Sequence, residues 1–159
     1  MAHLWYGLFD GLIWHIRLRG DARFHDGSRV TARDVQRSIE AMVESSGQAF
    51  GGLREHLIGI DIRDDLTISV RFSDPFGPFT DVLASVWAPI VPASSLSAAE
   101  ANAERLIGSG PFRLVDYIPG RAIIIERNRE YFLRGVPYVD RVTFFFFSDR
   151  TTQLAEFRA

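Results

Sequence analysis

The spacing of apolar positions changes character several times along the chain, and each change marks an element. From Leu12 to Leu18, Ile13, Ile16 and Leu18 are apolar and Arg17 alternates with them, which predicts a strand. Asp26-Gly27 then predicts a turn. Thr31 followed by Asp34 is a short form of the capping box, and a helix is expected from there to about Ser45. Val35, Ile39, Met42 and Val43 share one face of that helix. Ser45-Ser46-Gly47-Gln48 ends it, and Gly51-Gly52 reads as loose chain.

Period-two alternation returns in Ile58–Ile62 and in Leu66–Phe72, so these two arms predict a hairpin. Asp64-Asp65 between them is expected to take the positive φ of a tight turn. A short helix is expected over Phe79 to Ser85, and Pro89-Ile90-Val91-Pro92 should be extended. Ser97 can cap a polar helix from Ala98 to Leu106. A second hairpin joins Phe112–Tyr117 to Ala122–Arg127 through Pro119-Gly120, whose order fits a type II turn. Asn128 to Leu133 reads as a loop or helical turn, and Asp149 to Leu154 opens a last helix. The run Val142-Thr143-Phe144-Phe145-Phe146-Phe147 is continuous, which predicts a strand covered on both faces. Its covering layers come from earlier segments or from something larger. Mixed strands and helices indicate an α+β, or mixed α/β, fold.

Composition narrows the function classes. With 159 residues, 47% apolar and 24% charged, the chain has the balance of one globular domain. A net charge of −2 offers no electrostatic reason for a nucleic-acid or anionic-membrane partner. No cysteine is present, which removes disulfides, thiolate metal sites and a Cys nucleophile and leaves the redox compartment open. All 18 basic residues are Arg, so a lysine Schiff base and a P-loop lysine are excluded. No apolar run is long enough for a transmembrane helix. The start, Met1 to Asp10, lacks the cationic region and cleavage site of a signal peptide.

Candidate chemistry is sparse. Gly108-Ser109-Gly110 is followed by Pro111 and a strand, whereas a phosphate loop needs a helix there; tight-turn glycines are the better reading. His3, His15, His25 and His56 include no i, i+4 pair of the zinc-protease kind. His25-Asp26 is the one imaginable base with an orienting acid, and a hydrolase rests on it alone. No serine sits in a G-x-S-x-G elbow. Phe50, Phe76, Phe79 and Trp87 lie in or beside irregular segments, where aromatics either line a cleft or close the core.

One order of segments is specific. His15-Ile16-Arg17-Leu18-Arg19, Ala22-Arg23-Phe24-His25-Asp26-Gly27-Ser28 and Thr31-Ala32-Arg33-Asp34-Val35 resemble the "F-x-L-R…F-x-D-G-x-x-x-T-A-x-D-V" run of the family 5 extracellular solute-binding proteins. Asp65–Val70 looks like the family's "D-x-x-T-V-x-F" strand, and Pro89–Pro92 its "P-I-V-P". Ile107–Phe112 is similar to "P-x-G-T-G-P-Y/F", and Glu126–Phe132 to "E-R-N-P-x-Y-W". Tyr6–Ile13 resembles the "Y-E-G-L-V" segment. Each motif is weak alone; their shared order is not.

The resemblance implies a solute-binding component of an ABC importer, taking peptide-class solutes and presenting them to a membrane permease, in the periplasm or outside the cell. It implies no cofactor, metal, catalytic residue or nucleic-acid partner. It implies the accessory domain and part of the first lobe of a type II periplasmic-binding-protein-like fold. Residues 1–159 are then a partial solute-binding domain, with a family stretch missing near Trp14-His15 and the second lobe missing after Ala159. By position in that family, ligand-binding roles fall to Phe50, Ser85 and Trp87, with Trp87 as an aromatic wall. The alternative is the ligand-sensing domain of a transcription regulator built on the same module, although no helix-turn-helix is present.

Overall fold

The computed structural model describes residues 1–45, 52–96 and 106–158. Two antiparallel sheets organise them. The first contains β1 (Ala2–Leu8), β2 (Ile13–Leu18), β3 (Leu57–Asp64) and β4 (Thr67–Phe72), in the order β1-β2-β4-β3. The second contains β5 (Phe112–Ile118), β6 (Ala122–Arg127) and β7 (Arg141–Phe145), in that order. Four helices accompany them: α1 (Ala32–Ser45), α2 (Leu53–His56), α3 (Phe79–Leu83) and α4 (Arg150–Arg158).

The core lies between the first sheet and α1. Pairings Ile16↔Ile68 and Ile60↔Val70 align apolar side chains on one sheet face. Val35, Ile39, Met42 and Val43 of α1 are buried in the same cluster. The expected helix and its expected apolar face are therefore both observed. Its start is a reciprocal cap: Thr31 donates its N–H (2.8 Å) and hydroxyl (2.6 Å) to Asp34 Oδ2, and the Asp34 N–H reaches Thr31 Oγ1 at 3.4 Å.

β1 is an element that the hydrophobic pattern did not announce. It pairs with β2 through a tight turn in which Phe9, Asp10 and Gly11 all have positive φ. Gly7 accepts the close approach of the Trp14 ring, 3.4 Å from where a Cβ would stand. β2 runs through Trp14 and His15, each paired on both sides.

The β3–β4 hairpin forms, but Asp64 and Asp65 do not take positive φ. The Asp64 carboxylate instead accepts the Leu66 N–H at 2.8 Å, which closes the turn from the side chain. The Pro119-Gly120 turn is as expected: Gly120 has φ 69°, and the Arg121 N–H donates to the Ile118 carbonyl at 2.9 Å. α4 also forms where expected, with Asp149 accepting the Thr152 N–H at 2.9 Å.

The phenylalanine run contradicts its expectation. β7 ends at Phe145 and, among the described residues, is an edge strand bonded to β6 alone. Phe144 and Phe145 are 51% and 61% exposed, and Phe146 and Phe147 follow the strand, also exposed. A three-stranded sheet gives its last strand one neighbour, and no described layer covers both faces. The predicted helix from Ala98 and the segment Ser46–Gln48 lie outside the described residues.

Candidate functional site

Phe79 is fully buried and anchors α3. Its ring meets Phe72 edge-on at 5.2 Å and Trp14 at 6.0 Å. Phe76 stacks on Phe72 at 5.3 Å and is also buried. Of the four loop aromatics, these two close the core. The chain leaving α3 behaves differently. Trp87 is 72% exposed and Val86 beside it is more so.

The exposed stretch is held at both ends. On one side, the Ser85 N–H donates to the Val82 carbonyl at 3.1 Å. On the other, α1 fixes the residues after Pro89. The Ser38 hydroxyl donates to the Val91 carbonyl at 3.3 Å and accepts the Val91 N–H at 3.1 Å. Asp34 Oδ1 accepts the Ala93 N–H at 2.9 Å. Loops set on a rigid frame in this way present side chains without losing their position.

Ser85 is half-buried, and its hydroxyl is shielded from solvent without a hydrogen-bond partner among the described residues. A polar atom in that state is a cost unless something occupies it. Phe50, the third expected site residue, lies outside the described residues.

Next to this loop is an apolar groove of about 440 Å³. Trp5 of β1, Leu83 of α3, Ala84 just after it, and Ile90 of the pinned segment are among its walls. Trp5 is half-exposed along it. Pattern reading missed Trp5, because β1 as a whole was missed. Its aromatic neighbour Tyr6 and the position opposite Ile16 are the available signals.

The histidines do separate structural jobs. His15 Nδ1 bonds the Ser69 hydroxyl at 2.8 Å, and Arg63 donates to the same hydroxyl at 3.0 Å. His56 meets Asp74 at 3.2 Å. His25 and Asp26 turn to different partners. The Asp26 carboxylate takes the Ser28 hydroxyl (2.6 Å) and N–H (2.9 Å), bonds that hold it below the usual carboxylate range. The His25 ring reaches Gly108 and Gly110 instead. No group of three His, Cys, Asp or Glu side chains able to hold a metal comes together among the described residues.

Gly108 and Gly110 are not left-handed turn residues, so the tight-turn reading is corrected. Gly108 leaves room for an imidazole: a Cβ there would stand 3.4 Å from His25 Cε1.

A mixed α+β unit with an aromatic loop and an apolar groove describes a part of a periplasmic-binding-protein fold. Among solved structures, the binding protein AgaA from A. tumefacien R10, in complex with agropinic acid, superposes with a TM-score of 0.88 at 30% identity, over 99% of this chain and 32% of its own. Residues 2–159 match the family model of the bacterial extracellular solute-binding proteins, family 5 Middle, and the chain belongs to that family. The oligopeptide-binding protein AppA of Bacillus subtilis (strain 168) is 29% identical over 161 residues, covering 96% of this chain and 29% of AppA. The probable D,D-dipeptide-binding periplasmic protein DdpA of Escherichia coli (strain K12) is 31% identical over 137 residues, covering 82% and 26%. The chain thus spans between a quarter and a third of the length of these relatives.

Proposed function

We propose that this chain supplies one wall of the solute site in the receptor of an ABC importer. The solute is of the peptide class, and the receptor works in the periplasm or outside the cell with a membrane permease. Family membership over residues 2–159 and the two peptide-binding relatives support this reading. The observation that carries it is the pinned loop: Trp87 stands exposed between two anchored ends, beside an apolar groove. Aromatic and apolar walls with a few polar groups are the usual build of a solute site.

Ser85 and Trp87 are the contact residues in this reading, and the ligand-binding role of Phe50 rests on family resemblance alone. Trp5 joins them as a groove wall. Residues 1–159 then form a partial solute-binding domain. The direct β1–β2 hairpin, with Trp14-His15 inside β2, is in this reading a shortened form of the family's connection.

Solute enclosure in such receptors comes from two lobes closing on a hinge. One wall alone forfeits the opposing contacts, so the chain should bind short peptides in the millimolar range. The test is a titration of di- to pentapeptides into isotopically labelled chain, followed by NMR. Shift changes clustered on Trp5, Ala84, Ser85, Trp87 and Ile90 are expected. Changes scattered over the surface, or none with any peptide, contradict the site; micromolar binding contradicts the single-wall reading.

A further inference from the structure

The second sheet is tied to the first by a small set of contacts, and His25 makes three of them. The His25 N–H donates to the Gly108 carbonyl at 2.8 Å. Its ring Nδ1 accepts the Gly108 N–H at 3.2 Å. Its ring Nε2 lies 3.2 Å from the Gly110 carbonyl. That carbonyl also accepts Asn128 Nδ2–H at 3.1 Å, and Asn128 in turn donates its N–H to Pro111 and accepts from Glu130. One imidazole thus joins the turn after β2 to the entry of β5 and, through a shared oxygen, to the exit of β6.

Only one form of the ring satisfies this geometry. Gly108 offers an N–H, so Nδ1 must carry a lone pair. Gly110 offers an oxygen, so Nε2 must carry the proton. An imidazolium has N–H groups at both positions, and its Nδ1–H would face the Gly108 N–H. Both donors would then lack an acceptor in a half-buried site.

We propose that His25 is a protonation-controlled latch between the two sheets. The neutral ring, with its proton on Nε2, closes it, and protonation at Nδ1 opens it. Imidazole is the side chain whose ordinary charge change falls between about pH 5 and 8, so that interval is where the latch is tested.

The charged groups around His25 come from each neighbouring element. Asp26 is on its own turn, Arg113 on β5, and Glu126 and Arg127 on β6. Arg129 and Glu130 follow β6, and Asp140 and Arg141 lie at the start of β7. Arg113 pairs with Glu126 and Arg127 with Asp140, while Asp26 is occupied by Ser28. These pairings leave the ring nitrogens to the glycine backbone.

The Gly108 amide reports on the latch directly. Its hydrogen-exchange protection factor, corrected for the intrinsic pH dependence of exchange, should fall about tenfold or more from pH 7.5 to pH 5 in the 159-residue chain. In His25→Gln, which offers an amide oxygen and no titrating ring, the factor should stay level over that interval. A level wild-type profile overturns the proposal. So does an equal fall in both proteins, which would assign the effect to the surrounding carboxyl groups. A measurement on the unmutated protein stands beside it. The ¹⁵N spectrum of the imidazoles at pH 7.5 should show His25 protonated at Nε2 and not at Nδ1; the opposite tautomer overturns the proposal.

Discussion

Asp34 holds two distant parts of the chain with its two carboxylate oxygens: Oδ2 receives Thr31 at the start of α1, and Oδ1 receives the Ala93 N–H at 2.9 Å. The residue that starts the core helix therefore also fixes the far end of the loop carrying Trp87. Asp34→Ala removes both roles. A lost cap costs about 1 kcal/mol, and a bond to a charged group adds about 1.5–3 kcal/mol. A loss of roughly 2–4 kcal/mol in urea unfolding is expected. Asp34→Asn should lose less, since its amide oxygen can still accept one of the two partners.

Phe79 and Trp87 lie eight positions apart and should respond in opposite ways. Phe79→Ala empties a fully buried site and should cost about 3–5 kcal/mol. Trp87→Ala removes an exposed ring and should change stability by no more than about 0.5 kcal/mol. The peptide-induced shifts at Ser85 and Ala84 should weaken in Trp87→Ala while the core resonances stay in place. NMR titration combined with thermal unfolding checks both halves.

Three carboxylates stabilise turns and one helix start. Asp26 is lowered by the Ser28 hydroxyl and N–H, Asp64 by the Leu66 N–H and Thr67, and Asp149 by the N–H and hydroxyl of Thr152. A depressed carboxyl contributes stability that is complete above its unfolded value and disappears as pH falls through the folded value. The urea midpoint should therefore be level from these groups above about pH 5 and fall below about pH 4. Asp26→Asn should flatten part of that acid slope.

β7 offers an unpaired strand edge with exposed Phe144 and Phe145. Such an edge is a template for another strand, and a charge upon it is the common remedy. The chain should self-associate with rising concentration, and Phe145→Lys should shift sedimentation toward monomer. Unchanged sedimentation of Phe145→Lys would place the association elsewhere.

Much of this architecture is legible from local chemistry. Thr31 and Asp34 announce α1, Pro119-Gly120 announces its turn, and the order of motifs announces the family. These signals are short-range, since caps, turns and alternation depend on residues within a few positions of one another. Misreadings occurred where the partner was distant. β1 is the local exception: its partner β2 follows within a few residues, but its own run Ala2 to Leu8 does not alternate apolar with polar positions. Gly108 and Gly110 read locally as turn glycines, although their neighbour is His25, more than 80 positions earlier in the chain.

The candidate site divides along the same line. Sequence position picked out Ser85 and Trp87, but it could not place the apolar groove, which joins Trp5 at one end of the chain to Ile90. The phenylalanine run shows the limit most clearly. Hydrophobicity along the chain established that Val142 to Phe147 favours a strand, and β7 is one as far as Phe145. Whether such a strand is covered depends on its neighbours in space, and among the described residues β6 is the one strand beside it. The sequence by itself determined α1, the Pro119-Gly120 turn and the family. The tertiary structure alone decided exposure, which of two distant segments share a hydrogen bond, and where an imidazole could join two sheets, because each of these depends on contacts between residues far apart in the chain.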